Sequence, residues 1–246
     1  MSDWQWIPTH TVTPIAPQTL HIWRLPLRSE GTNHWWDLLS RDEQQRAQRF
    51  VRSQDQDKYV QVRGTLRCLL GQYLHIPGQT LCFDYGDYGK PQLISSCNSL
   101  NLQFNVSHSH ELAVIAVTQT TAVGIDIEQV NPQARYIDIS QRFFATAEHE
   151  TLLQQPVEEQ CRTFFQLWTR KEACVKAMGG SIAHALDQIN VAQGLHQASI
   201  AIEMQEEPHE LFLHNLFPDP NFAGAVATQA PLQHLHLWQW ASISSD

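Results

Sequence analysis

Two long segments of helical periodicity, set among short strand-like runs, limit the folds open to this chain. Apolar side chains recur at spacings of three and four between residues 56 and 75, which predicts a helix, and Val157–Met178 is a second such segment. The runs Leu102–Val106, Leu112–Thr118 and Ala122–Glu128 have the composition of strands. Helices mixed with largely antiparallel strands predict an α+β fold.

Shorter segments complete the predicted element order. Ser40 followed by Glu43 three residues later is typical of a capping box at the start of a helix. The polar stretch Ser107–His110 is predicted to link two strands. The other predicted elements are strands at His21–Leu25 and Leu81–Phe83, helices at Trp35–Leu39, Ile139–Phe144 and Ala147–Gln154, and several strands within Ile189–Trp240 with turns at Pro208 and Pro218–Pro220.

Length and composition narrow the class of protein. The 246 residues suit one large domain or two modest ones. The longest strongly apolar run, Leu112–Val117, is far shorter than a membrane-spanning helix, and the first residues lack a secretory signal. The five cysteines are scattered without a C-x-x-C pair, which favours a reducing compartment. We therefore expect a cytoplasmic protein that does not enter a membrane.

The charge is unevenly distributed along the chain. The formal net charge is −9, which argues against a nucleic-acid-binding protein. The segment from Arg41 to Arg67, however, contains seven basic and four acidic residues, which gives it a local net charge of +3. Such a cluster on an acidic chain suggests a small polyanionic ligand or an acidic partner. A solvated helix face with ion pairs is the alternative interpretation.

One predicted strand carries two acidic residues in alternation. Asp126 and Glu128 lie two residues apart and therefore project from one face, while Ile125 and Ile127 pack behind them. Neighbouring carboxylates repel each other unless a cation or a proton lies between them, and Mg²⁺ prefers oxygen ligands. The pair is compatible with a metal site, and also with an ordinary exposed strand edge.

The second long helix contains a further acidic and a further basic residue. Glu172 and Lys176 are four residues apart and share one helical face, as do Trp168 and Glu172. Glu172 could be a third metal carboxylate, with Lys176 as a phosphate contact. A surface ion pair beside a core tryptophan is the other possibility.

The segment Phe104–Ser109 ends a strand with small hydroxyls and a histidine. These groups could donate hydrogen bonds to a phosphate. A serine hydrolase is disfavoured, because Ser107 and His108 are adjacent on a strand and point to opposite faces, and the chain has no G-x-S-x-G motif. A structural role is the ordinary alternative for His108.

Four motifs in this order resemble those of the Sfp-type 4′-phosphopantetheinyl transferases, and the similarity extends from about Leu39 to Gly180. The motifs are Tyr88–Pro91, Asn105–Ser109, Val123–Glu128, and Trp168–Ala173 followed by Lys176. The resemblance implies two similar α+β halves related by a pseudo-twofold axis, residues 1–120 and 121–246. Coenzyme A contacts are expected mainly from the first half and metal carboxylates from the second, with the active site in the cleft between them.

The resemblance also implies roles for individual residues. Asp126, Glu128 and Glu172 correspond to Mg²⁺ ligands, and Lys176 to a lysine that meets the pyrophosphate. Glu148 corresponds to a carboxylate that assists deprotonation, and a carboxylate acting through metal-bound water is the alternative base. Contacts to coenzyme A are implied for Arg46, Lys90, Ser107 and His108.

The implied reaction moves phosphopantetheine from coenzyme A to a serine of an apo acyl or peptidyl carrier protein, with Mg²⁺ as cofactor and release of 3′,5′-ADP. The chain is expected to be a monomer. It departs from the family pattern at Glu43, at Tyr59 and at Gly179–Ile182, which affects individual nucleotide contacts. A non-catalytic module that binds coenzyme A or a carrier protein, and a metal-dependent phosphohydrolase, are the alternatives.

Overall fold

The computed structural model describes residues 5–27, 33–86, 89–179, 189–193, 195, 199–203 and 210–241. Tyr88, Gly180–Ile182 and Pro208, which carried parts of the predictions above, lie outside this range. The described α-helices are α1 (Asn33–Trp36), α2 (Arg41–Ala47), α3 (Ser53–Leu74), α4 (Tyr136–Phe143), α5 (Thr146–Leu153) and α6 (Val157–Ala177).

The described strands form a five-stranded sheet, a four-stranded sheet and a two-stranded ribbon. They are β1 (Ile7–Thr9), β2 (Thr19–Pro26), β3 (Phe83–Tyr85), β4 (Pro91–Leu93), β5 (Leu102–Ser109), β6 (Leu112–Gln119), β7 (Val123–Gln129), β8 (Ser199–Glu203), β9 (Glu210–Leu216), β10 (Phe222–Thr228) and β11 (His234–Trp240). The predicted α+β class is confirmed.

The same unit of one strand, a long helix and a hairpin occurs twice along the chain. The first sheet has the order β1-β11-β2-β6-β5, and the second has the order β7-β10-β9-β8. Within them, β2-β6-β5 and β7-β10-β9 have equivalent connections, and every pairing inside these units is antiparallel. The long helix is α3 in the first unit and α6 in the second. The two-part architecture expected from the resemblance is therefore present.

The last of the described strands, β11, lies in the first sheet, where it pairs in parallel with both β1 and β2. This pairing places β11, which follows the second repeated unit in the chain, beside two strands from the first part of the chain. The boundary at residues 120 and 121 stays a prediction. Among the described residues, no helix is both long and apolar enough to cross a membrane.

Three apolar clusters hold the layers together. The first lies between α3 and the first sheet and includes Trp23, Leu66 and Ile115, and the second lies between α6 and the second sheet. The third joins the two sheets and includes Ile125 and Ile127 of β7. Burial of these side chains supplies the main favourable free energy of folding. It also places β7 between β5 of the first half and α6 of the second.

The polar stretch at Ser107–His110 differs from the prediction. β5 continues through Ser109, so Ser107, His108 and Ser109 belong to a strand rather than to a link between strands. Small hydroxyl side chains are frequent in turns, which made this stretch look like one. In the structure the side chains of Ser107 and Ser109 instead contact the neighbouring strand β7.

Candidate active site

The carboxylates Asp126 and Glu128 project from β7 away from the apolar cluster between the sheets. Ile125 and Ile127 fill that cluster, so the alternation expected from the sequence holds. Asp126 is buried and Glu128 is half-buried. The strand thus presents two neighbouring carboxylates to the helix that packs against it.

Helix α6 approaches β7 closely because residue 124 is glycine. A Cβ atom at Gly124 would lie 2.1 Å from the carbonyl oxygen of Ala173 and 2.3 Å from the amide nitrogen of Ala177. No side chain fits such a gap. The close approach brings Glu172 and Lys176, one helical turn apart on α6, to the acidic side of β7.

Lys176 bridges the helix and the strand. Its Nζ donates to Asp126 Oδ1 at 2.6 Å and to the carbonyl oxygen of Ile125 at 3.2 Å. Ser107 of β5 donates from Oγ to the same Asp126 oxygen at 2.8 Å. The other oxygen, Asp126 Oδ2, is buried and has no hydrogen-bond partner among the described residues.

The electrostatics of this group favour an additional positive charge. Burial raises the pKa of Asp126 and of Glu128 above their usual values. Burial, followed by the negative charge on Asp126, raises the pKa of Glu172 to about 7, against the effect of Lys176. Three carboxylates therefore share one nearby ammonium group, and the repulsion between them would be relieved by a cation or by protons.

A divalent cation fits this chemistry, although the described side chains are not gathered around one point. Among the described residues, no group of three His, Cys, Asp or Glu side chains has the arrangement of a complete metal site. Mg²⁺ commonly takes only one or two protein carboxylates and completes its shell with water and substrate phosphate. The unpartnered oxygen of Asp126 is a suitable ligand of this kind.

Lys90 connects the two halves. It lies in the loop before β4, and its Nζ donates to the carbonyl oxygens of Val123 at 2.9 Å and Lys176 at 2.7 Å. Burial and the nearby charge of Lys176 lower the pKa of Lys90 to about 8. Its ammonium group thus caps the C-terminal end of α6, and its contact with a nucleotide stays a prediction.

His108 lies on the face of β5 opposite to Ser107 and is exposed. Partial burial of the ring, together with the positive charges of Lys176 and Lys58, lowers the pKa of His108. The lowered pKa favours the neutral form of the imidazole in the absence of an anion. The two lysines that act on it place it beside a positively charged region.

The basic residues between Arg41 and Arg67 are partly buried and partly exposed in the structure. Arg63 and Arg67 are buried, and each donates to a different oxygen of Glu43, the contact from Arg67 being 2.6 Å. Glu43 also accepts from the backbone N–H of Ser40 at 2.9 Å, as the capping box predicted. Arg46, by contrast, is exposed in the last turn of α2. The sequence did not show that Glu43 is the internal partner of two arginines.

Glu148 is completely buried, and its oxygens are engaged by protein groups. Oε2 accepts from Lys171 at 2.5 Å and from the backbone N–H of Ala145 at 2.9 Å, and Oε1 accepts from the N–H of Val191 at 2.8 Å. These contacts connect α5, α6 and the segment that precedes β8. They are structural, and the role of Glu148 in deprotonation stays a prediction.

Comparison with known proteins defines the class. A family model described as the 4′-phosphopantetheinyl transferase superfamily matches residues 122–227, and one described as 4′-phosphopantetheinyl transferase, N-terminal, matches residues 23–120. These two matches cover most of the two repeated units. The chain belongs to the Sfp-type 4′-phosphopantetheinyl transferase family and is a transferase of this type.

Individual relatives support the assignment over most of the chain. The 4′-phosphopantetheinyl transferase HetI of Nostoc sp. (strain PCC 7120) is 37% identical over 226 residues, which cover 90% of this chain and 92% of HetI. The transferase Sfp of Bacillus subtilis (strain 168) is 27% identical over 84% of this chain and 89% of its own. The transferase gsp of Aneurinibacillus migulanus is 31% identical over 77% of this chain and 78% of its own.

Proposed function

We propose that the protein transfers 4′-phosphopantetheine from coenzyme A to a serine of an apo acyl or peptidyl carrier protein in a Mg²⁺-dependent reaction. The serine oxygen forms a bond with the phosphorus that carries pantetheine. The P–O bond to the second phosphate breaks, and 3′,5′-ADP leaves with the electron pair. The serine proton passes to a base.

The observation that carries this proposal is the group formed by Asp126, Glu128, Glu172 and Lys176. Its burial, its raised carboxylate pKa values and the unpartnered Asp126 Oδ2 fit a divalent cation. A bound Mg²⁺ would supply Lewis-acid stabilisation of the pyrophosphate charge. Asp126, Glu128 and Glu172 are the residues that would hold it.

Lys176 is positioned to act on the leaving group. Its ammonium group contacts Asp126 at the edge of the carboxylate cluster, and 27% of the Lys176 side chain is exposed. A fixed positive charge at this place stabilises the negative charge that builds up on the departing phosphate. Lys90 holds the carbonyl oxygen of Lys176 and so helps to fix its backbone.

The region around His108 suits the polyanionic end of coenzyme A. His108 and Arg46 are exposed, and Lys58 and Lys176 contribute positive charge near His108. Ser107 is directed to Asp126, and the ammonium group of Lys90 is directed to two carbonyl oxygens. We therefore propose that His108 and Arg46 provide side-chain contacts, with backbone contacts from the Ser107 and Lys90 segments.

Two carboxylate sources were possible for the base. Glu148 is buried and accepts three hydrogen bonds, one of them from Lys171. A group in this state is poorly placed to receive a proton from a bulky protein substrate. The contacts favour a carboxylate of the cluster on β7 and α6 as the base, with Glu148 acting in support of α6.

The proposal also includes the oligomeric state and the cellular compartment of the protein. Both repeated units occur in one chain, so a monomer can form the complete cleft. All five cysteines are free thiols, which fits a reducing compartment such as the cytoplasm.

Intact-protein mass spectrometry tests the proposal. An apo acyl carrier and an apo peptidyl carrier are each incubated with the protein, coenzyme A and Mg²⁺, with and without EDTA, and released nucleotide is measured by chromatography. We expect a mass gain of one phosphopantetheine and an equal amount of 3′,5′-ADP, both abolished by EDTA. Unmodified carriers with bound coenzyme A would favour the binding module, and 3′,5′-ADP release without a carrier would favour the phosphohydrolase.

A further inference from the structure

The free edge of β7 is bonded by side chains rather than by another strand. β7 and β5 are edge strands of their two sheets. Three polar side chains of β5, at alternate positions on one face, each accept one backbone N–H of β7. The contacts are Ile125 N–H to Asn105 Oδ1 at 2.8 Å, Ile127 N–H to Ser107 Oγ at 3.3 Å, and Gln129 N–H to Ser109 Oγ at 3.1 Å.

The two serines make a second contact that the asparagine does not. Ser107 Oγ donates to Asp126 Oδ1 at 2.8 Å, and Ser109 Oγ donates to Glu128 Oε2, also at 2.8 Å. In each case the hydroxyl contacts a carboxylate and the backbone N–H of the residue that follows it. The same geometry is thus repeated at two successive outward positions of β7.

This double contact determines the direction of each hydroxyl proton. Because the serine oxygen accepts from a backbone N–H, its own proton is directed to the carboxylate. One oxygen of each carboxylate is thereby fixed by a neutral donor that is itself held by the strand. Hydrogen bonds of this kind orient ligating groups and strengthen ion binding. Ser109 Oγ also lies 3.3 Å from His110 Nδ1; with the serine proton directed to Glu128, a protonated Nδ1 is the donor in that contact.

We propose that Ser107 and Ser109 are positioning residues that orient Asp126 and Glu128 for a divalent cation. Asn105, the third of these β5 side chains, accepts a backbone N–H of β7 but contacts no carboxylate among the described residues, so its role is structural. The identity of the cation rests on the proposed function. Ser109 is the more informative of the two serines, because no role has been assigned to it and because Ser107 also lies 3.5 Å from Lys176 Nζ.

The test measures cation binding without any reaction. Mn²⁺ alone is titrated into the wild-type protein and into Ser109→Ala, Ser109→Thr and Asn105→Ala, and free Mn²⁺ is measured by electron paramagnetic resonance. We expect Ser109→Ala to weaken binding about 10-fold, as loss of such a partner commonly does. Ser109→Thr keeps the hydroxyl and should restore most of the affinity. Asn105→Ala removes one backbone contact and should bind as the wild type does.

The asparagine variant separates positioning from general loosening of the structure. Equal losses of Mn²⁺ affinity in Ser109→Ala and Asn105→Ala would overturn the proposal, as would wild-type affinity in Ser109→Ala or no Mn²⁺ binding to the wild type. If Ser109→Ala does not fold, as judged by circular dichroism, Ser109→Cys takes its place with the same expectation. Transfer to a carrier is measured separately, so failure of the proposed function would be seen in the wild type.

Discussion

Replacement of Gly124 by alanine should push helix α6 away from strand β7, and this movement should lower both stability and catalytic rate. The new Cβ atom would meet Ala173 O at 2.1 Å and Ala177 N at 2.3 Å, whereas Cβ atoms stay at least about 3.0 Å from such atoms. Helix α6 and strand β7 must therefore separate by about 0.9 Å. The atoms in the way are backbone atoms of a long helix, so no side-chain rotation can relieve the contact.

The expected magnitude follows from this separation. Insertion of a methyl group into a packed interior costs about 1–3 kcal/mol, and we expect about 2 kcal/mol of unfolding free energy to be lost. A misplacement of about 1 Å in an active site can lower the rate about 100-fold. Lys176 and Glu172 lie on α6, whereas Asp126 lies on β7, so the separation misplaces them relative to each other. We therefore expect kcat to fall about 100-fold even at a temperature where the variant is fully folded.

Urea denaturation followed by circular dichroism, and intact-mass assays of carrier modification, measure the two effects. Gly86→Ala is the control for stability, since within the described part of the chain its Cβ would meet nothing nearer than Gln92 Nε2 at 3.7 Å. The control should remain within about 0.5 kcal/mol of the wild type. Wild-type stability together with wild-type kcat in Gly124→Ala would refute the reasoning.

Three further predictions concern charged and titratable groups. Glu43→Gln leaves Arg63 and Arg67 buried without a carboxylate and should lower the unfolding free energy by about 3 kcal/mol in urea denaturation; a loss below about 1 kcal/mol would contradict it. Arg46→Glu should raise the KM for coenzyme A more than it lowers kcat in steady-state kinetics, and an unchanged KM would count against this contact. Burial, followed by the charge of His236, lowers the pKa of His21 to about 4. The unfolded state thus binds the proton more tightly, and stability should fall by about 3 kcal/mol as the pH drops from 6.5 to 4, a slope that His21→Gln should reduce in urea denaturation.

Local patterns predicted the helices and strands that carry the site. The spacing of apolar residues anticipated α3 and α6 to within a few residues, and the alternation at Val123–Glu128 anticipated which side chains of β7 are buried. Ser40 and Glu43 anticipated the start of α2. These features depend on neighbours in sequence, which a single sequence displays directly.

Other features depend on partners far along the chain. The return of β11 to the first sheet follows from long-range pairing that no local pattern records. The burial of Arg63 and Arg67 requires the carboxylate of Glu43, 20 or more positions away. A charge count over the segment therefore overstated the positive surface.

The β5 side chains illustrate the same limit at the site itself. Asn105, Ser107 and Ser109 alternate as residues on one strand face do, but the polar character of Ser107–His110 suggested that the strand ends before Ser107. Only the position of β7 shows that they bond its backbone and two of its carboxylates. Alternating small polar residues next to a strand with two acids are the signal that could have revealed this.

The central claim is that the carboxylates of β7 and α6 hold a divalent cation needed for transfer. The most direct measurement compares Asp126→Asn with Asp138→Asn, the same change at an exposed aspartate, by intact mass of an apo carrier with coenzyme A and Mg²⁺. The account predicts that the Asp126 variant is folded but at least about 100-fold slower, while the Asp138 variant equals the wild type. Full transfer by Asp126→Asn at ordinary Mg²⁺ would contradict it.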